Sequence, residues 1–234
     1  MRLSLVLCSL LAALLVIGCG GESTTASTPA MPVSAPDDGK VVVAALGDSI
    51  TAGSPLWDPD PTIRAQIGPA LDPRSQFEYW ATKEDPSLEF RNCGVFGERT
   101  DEIALRLEDC AVGADVLIVQ GGINDIAQGR APAEAAAEID SMIQRGLDLG
   151  LPVAVIDILP WNNGHPAADA PIEELNRSIR SIAESKRVPV LPFHDTLEDP
   201  AEPGVMRSDL TIDGDHPSVA GYRLLAERAF ELPE

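Results

Sequence analysis

Five short runs of β-branched and apolar residues, spaced along the chain with amphipathic stretches between them, constrain the fold more than any other feature. The runs cover residues 41–46, 88–92, 115–120, 152–158 and 188–191. Each is too short and too uniformly apolar for a surface helix and reads as a strand buried on both faces. Between them, Ala136, Ile139, Ile143 and Leu147 keep helical spacing, as do Ile172, Leu175, Ile179 and Ile182. Pro171 and Pro217 stand where a first helical turn tolerates proline. Strands alternating with helices imply a parallel sheet covered on both faces. In such sheets ligands gather beyond the carboxyl ends of the strands, so the post-strand loops are where chemistry belongs.

The 234 residues suit a single domain, and no internal repeat is visible. Charge is lopsided, with 17 Lys plus Arg against 37 Asp plus Glu and a formal net of −20. So few cations cannot build a surface that tracks phosphates, so nucleic acid is excluded as an expected partner. The amino-terminal segment stands apart. Arg2 precedes an apolar run from Leu3 to Gly18 that is too short to serve comfortably as a spanning helix. It ends Val16-Ile17-Gly18-Cys19, which resembles the lipobox of bacterial lipoprotein signal peptides. That likeness implies cleavage before Cys19 and lipidation on it, placing the protein outside the cytoplasm on the cell envelope. Residues 19–40, rich in Ser, Thr, Ala and Pro, read as a tether, and 41–234 as the folded domain.

The loops carry four short blocks. After the first strand comes Gly47-Asp48-Ser49-Ile50-Thr51, a serine in a glycine-led strand-to-helix turn. It lacks the second glycine of a G-x-S-x-G elbow. The second strand runs into Asn92-Cys93-Gly94-Val95-Phe96-Gly97, whose glycines let a backbone N–H approach closely. The third runs into Gly121-Gly122-Ile123-Asn124-Asp125, which brings a side-chain amide to the same edge. Near the carboxyl terminus stands Asp213-Gly214-Asp215-His216-Pro217, where an aspartate three residues before a histidine is placed to hold its ring.

These four blocks, in this order over residues 41–225, resemble the GDSL, or SGNH, family of serine hydrolases. The resemblance implies a three-layer, flavodoxin-like α/β/α sandwich around a five-stranded parallel sheet. It implies Ser49 as nucleophile, His216 as general base and acid, and Asp213 as the residue orienting His216. The oxyanion hole would be the Ser49 and Gly97 backbone N–H groups with the Asn124 side chain. Asp215 competes with Asp213, but the family pattern selects Asp213 and leaves Asp215 to solvent. Asp48 and Asp125 are expected to brace their loops by accepting backbone hydrogen bonds. No cofactor is implied, and the three histidines lack metal-ligand spacing, so no metal is expected.

The implied activity is hydrolysis of short- to medium-chain acyl esters, with carbohydrate O-acetyl esters, lysophospholipids and thioesters as alternatives on the same fold. A solute-binding surface lipoprotein is the non-enzymatic alternative, and a monomer is the expected state. Trp57, Trp161 and Asn162 lie in loops on the active-site side and are candidates for the substrate pocket. His165 and His194 read as surface or structural. Cys93 and Cys110 remain open. Export permits a disulfide, whereas one helix over residues 100–109 would carry Cys110 roughly 15 Å away from Cys93.

Overall fold

The computed structural model describes residues 39–161 and 165–233, and the chain from Asp38 onward is one unit. The expected signal segment, Cys19, nearly all of the tether and Asn162 lie outside the described residues.

Alternation along the first strand sets the layers. In β1 (Val41–Gly47), Val43 and Ala45 face one side of the sheet, and Ala44 and Leu46 the other. β1 is central, pairing in parallel with β2 (Leu88–Gly94) and β3 (Val116–Val119); β4 (Val153–Ile156) and β5 (Val190–Leu191) continue from β3. The order β2-β1-β3-β4-β5 is the five-stranded parallel sheet expected, although β3, β4 and β5 are shorter than the apolar runs containing them.

The helices are α1 (Ser49–Ala52), α2 (Pro61–Ile67), α3 (Phe77–Glu84), α4 (Thr100–Ala104), α5 (Leu107–Ala111), α6 (Ile123–Ala127), α7 (Pro132–Asp148), α8 (Asp169–Lys186), α9 (Phe193–Leu197) and α10 (Val219–Arg228). On one face of the sheet Ile103, Leu107, Ile139, Met142, Ile143, Leu175 and Ile179 bury against Ala44, Leu46, Leu117, Val119, Val153 and Val155. On the other, Phe77, Phe193, Tyr222 and Leu225 bury against Val43, Ala45, Ile118, Ala154 and Ile156. Each fully buried large apolar side chain contributes about 1.5–3 kcal/mol, so the apolar stripe of α7 rather than its propensity holds it in place.

Two features were not settled by the sequence. A small antiparallel pair, β6 (Glu198–Asp199) with β7 (Glu202–Met206), follows α9. Pro203 and Gly204 interrupt any strand pattern there, so the segment carries no readable signal. The other is the disulfide between Cys93 and Cys110, with Cα atoms 6.1 Å apart. The distance argument against it fails because no single helix spans residues 100–109. α4 stops after five residues, the chain turns at Leu105-Arg106, and α5 restarts, keeping Cys110 near the end of β2.

The chain leaves β1 for β2 on one side and then crosses to β3 on the other. That reversal opens a crevice at the carboxyl ends of β1 and β3.

Candidate active site

Ser49 is the first residue of α1, and its turn is fixed from three directions. Asp48 caps the helix, with Oδ1 accepting the Ile50 N–H at 2.9 Å. Gln120, just past β3, accepts from the Asp48 N–H at 3.0 Å and from the Thr51 hydroxyl at 2.9 Å on the same Oε1. Tyr222, buried in α10, donates its hydroxyl to the Ile50 carbonyl. Asp48 itself is wholly buried and its Oδ2 has no partner. Burial therefore pushes its carboxyl up to about 6, against the hydrogen bond from Ile50.

Ser49 Oγ lies 3.1 Å from His216 Nε2. His216 Nδ1 is 2.8 Å from Asp213 Oδ2, and the His216 and Asp215 backbone N–H groups donate to Asp213 Oδ1 at 2.7 and 2.9 Å. A carboxylate only accepts, so the ring proton sits on Nδ1, and Nε2 is left to receive the serine proton. Partial burial pushes Asp213 upward, but bonds from the His216 ring and the two backbone N–H groups outweigh it and hold the carboxyl below its ordinary value. Thr211 shapes the loop, donating its hydroxyl to the His216 carbonyl and accepting the Gly214 N–H.

The neighbouring loop depends on two glycines for different reasons. At Gly94 a Cβ would stand 2.1 Å from the Ala52 backbone nitrogen, so only glycine lets β2 pass α1 this closely. At Gly97 there is open space, but φ is +81°, a conformation glycine alone adopts without strain. Asn124, in α6, donates Nδ2–H to the Glu98 carbonyl at 2.9 Å, tying the amide to this loop. Asp125 braces from below, accepting the Thr100 N–H and hydroxyl at 2.9 Å each and pairing with Arg130.

The sequence reading missed Arg106. From the break between α4 and α5 its guanidinium donates to the Cys93 carbonyl at 2.6 Å and the Gly47 carbonyl at 3.0 Å, and it grips Glu98 Oε2. One side chain thus ties the ends of β1 and β2 to the loop holding Gly97. Gln120 was missed as well. The sequence offers no signal for either, since both act through partners distant along the chain.

Ser49, Ile50, Phe96, Ile123, Asn124, Ala127, Trp161, Asp215 and His216 line one cleft of about 120 Å³. Phe96 is largely exposed and stacks beside the His216 ring, with centroids 6.1 Å apart. Asp215 does not stand free in solvent as expected: it is half-buried and accepts a hydrogen bond from Trp161 Nε1, because the turn that aims Asp213 at His216 faces its neighbour inward. Trp161 stands at the cleft as expected. Trp57 does not line it; its ring packs under the Arg64 guanidinium, 4.8 Å from the centroid. His194 is buried on the Ile158 carbonyl, and exposed His165 stacks on Trp161. Among the described residues, one group has ligating atoms close enough to share a cation, namely His194, Asp195 and Glu198 within 4.8 Å, and none of the three lines the serine's cleft. Ser49 thus shares its cleft with a hydrogen-bonded proton acceptor, His216, and with the Asn124 amide, a candidate donor to a developing oxyanion, parts that acyl transfer requires.

The profile of the GDSL-like Lipase/Acylhydrolase family matches residues 45–224. A lipolytic protein of the G-D-S-L family from Desulfitobacterium hafniense DCB-2 has a similar structure, with a TM-score of 0.66 and 20% identity over 80% of this chain and 97% of that one. A G-D-S-L family lipolytic protein from Veillonella parvula DSM 2008 gives 0.65 at 20% identity, covering 81% and 96% of the two chains. The lipase/acylhydrolase from Enterococcus faecalis gives 0.63 at 22%, covering 80% and 92%. At these identities the likeness establishes the fold alone. Comparison with curated proteins gives no match.

Proposed function

Because the chain belongs to the GDSL-like lipase/acylhydrolase family, we propose that it is a serine ester hydrolase working through an acyl-enzyme, held at the bacterial cell envelope through a lipid on Cys19. The observation that carries the chemistry is the chain of hydrogen bonds from Ser49 Oγ through the His216 ring to Asp213.

In the first half-reaction Ser49 Oγ attacks the ester carbonyl carbon while its proton passes to His216 Nε2. The carbonyl π pair moves onto oxygen, where the Ser49 and Gly97 N–H groups and the second Nδ2 hydrogen of Asn124 receive it. Each such donor is worth about 3 kcal/mol. The ionised Asp213 stabilises the imidazolium so formed. Collapse breaks the bond to the alcohol oxygen, which takes the proton from Nε2. Water then repeats the sequence on the acyl-enzyme and frees Ser49 and the acid. Substrates on this reading are small-molecule, lipid or glycan esters, and the protein's own side chains perform every proton transfer.

The test compares the full-length protein with Ser49→Ala on p-nitrophenyl esters and with a fluorophosphonate probe. Turnover and covalent labelling that both vanish in the variant are expected. Labelling and turnover that survive it, or neither in the native protein, overturn the reading.

A further inference from the structure

Trp161 borders three spaces at once. Its indole lines the cleft holding Ser49 and His216. It also lines a crevice of about 10 Å³, walled mostly by Ile50, Ile123, Ile158, Leu159 and Pro160 with Gln120 and Asp215 at its polar side. It borders a third, open space of about 290 Å³ walled by Ile126, Ala127, His165, Ala168 and Pro171, which meets the serine's cleft at Trp161 and Ala127. The ring is held on both sides: Nε1–H donates to Asp215, and the His165 ring stacks on it at 3.9 Å between centroids.

Reaction geometry decides which part of an ester meets this wall. The alcohol oxygen must reach His216 Nε2 to be protonated, so the alcohol lies on the side of His216 and exposed Phe96, which opens to solvent. The carbonyl oxygen turns toward Gly97 and Asn124. What remains for the acyl carbons is the apolar wall of Ile50, Ile123 and Trp161 and the crevice beneath it. A space of about 10 Å³ holds about one water-sized group. That is room for a methyl group and not for an alkyl chain.

Resting on the ester-hydrolase reading above, we infer that Trp161 is a partition that limits the acyl group to acetyl or little more while leaving the alcohol unrestricted. The substrates are then O-acetyl esters of bulky alcohols, and the open space beside Trp161 is one for longer acyl chains that this residue closes off. The partition works by excluded volume, because a methylene that does not fit costs roughly tenfold or more in kcat/KM.

The experiment measures kcat/KM on p-nitrophenyl acetate, butyrate, hexanoate and octanoate with the full-length protein, Trp161→Ala, Trp161→Phe and the double variant Trp161→Ala with Ala167→Phe. Fluorophosphonate labelling of each identifies the variants that are folded and active. The native protein should favour acetate over octanoate at least tenfold. Trp161→Ala should raise octanoate relative to acetate at least tenfold, by joining the cleft to the cavity Ala167 borders. Trp161→Phe, which keeps a ring in place without the Nε1–H, should retain the acetate preference. The double variant, which refills the cavity, should recover part of it. A native optimum at hexanoate or octanoate, or a Trp161→Ala profile parallel to native with Ser49 still labelled, overturns the partition alone. Neither labelling nor turnover in the native protein overturns the hydrolase reading and the partition with it.

Discussion

Two histidines stand near the carboxyl ends of the strands, and they are built alike up to a point. His216 precedes α10 and His194 lies in α9, directly after β5. Each has Nδ1 on a short acceptor, Asp213 Oδ2 at 2.8 Å for His216 and the Ile158 carbonyl at 2.6 Å for His194. Each has a buried aspartate nearby that burial pushes up to about 6: Asp48 for His216 and Asp157 for His194. They part at the acceptor and at the far nitrogen. A carbonyl fixes the tautomer but supplies little charge, whereas a carboxylate also stabilises the ring once protonated. Nε2 of His216 meets the hydroxyl of Ser49, while that of His194 faces Glu198 Oε1 at 3.5 Å, an acceptor with no proton to give when ionised. A histidine among carboxylates is therefore not in itself a base; which ring nitrogen the carboxylate holds decides.

The largest effect that can break this contrast comes from Asp213→Asn. An amide oxygen can still accept the His216 and Asp215 N–H groups that shape the loop. The amide nitrogen then stands where Oδ2 stood and donates to His216 Nδ1, so the ring proton moves to Nε2 and His216 loses both the charge and the tautomer that a base needs. kcat should fall by about 10⁴-fold, as when the aspartate of a serine-protease triad is made an asparagine and the ring takes the wrong tautomer, with the thermal melt near native. Steady-state kinetics on an acetyl ester measures it. A loss under tenfold would mean that the group held on Nδ1 does not decide whether the ring acts as a base, and the comparison would carry no chemistry.

The same contrast explains what the sequence made legible. Ser49, Gly97, Asn124 and the Asp213–His216 pair sit in blocks tied to strand ends, where local spacing and chain order carry the information. The five strands and their parallel character followed from short, uniformly apolar runs alternating with helical patterns, whereas their order in the sheet was not read from the sequence. The Cys93–Cys110 bond was undecidable because helix continuity across Leu105-Arg106 depends on where Arg106 sends its guanidinium. Asp215 was misplaced because its partner, Trp161, lies 54 residues away. Side chains whose role is a long-range hydrogen bond leave no pattern in sequence, which is why Arg106 and Gln120 were invisible.

Asp48 sharpens the contrast from the feature both regions share. Its folded-state carboxyl lies near 6, above the ordinary 3.8, so the folded protein holds this proton more tightly than the unfolded chain. The stability gained from that proton is complete below about pH 4 and is lost as pH rises through 6. A shift of this size corresponds to about 3 kcal/mol. Asp48→Asn keeps an oxygen for the Ile50 N–H and abolishes the titration. The variant should match native stability near pH 4 and exceed it by up to about 3 kcal/mol at pH 7. Urea melts across pH 4–7.5 measure this, and a parallel pair of curves would show that Asp48 ionises freely.

The smallest expected effect separates the histidines most cleanly. His194→Leu removes the Nδ1–H bond to the Ile158 carbonyl, yet that oxygen keeps the Asn176 amide at 2.9 Å, and the residue 194 N–H still reaches Asp157. Because the carbonyl is not orphaned, the cost should be about 1–2 kcal/mol. kcat/KM should stay within about threefold of native. His216→Leu should do the reverse: the ring, with 12% of its side chain exposed at the cleft, gives way to a side chain of similar size with little change in stability, while turnover falls to near background. Urea midpoints and initial rates on both variants give a crossed pattern if the acceptor on Nδ1 and the partner of Nε2 are what distinguish the two. If His194→Leu abolished turnover in a protein whose Ser49 still reacted with a fluorophosphonate, His194 would have a part in deacylation, and its carbonyl-held ring would no longer be the inert member of the pair.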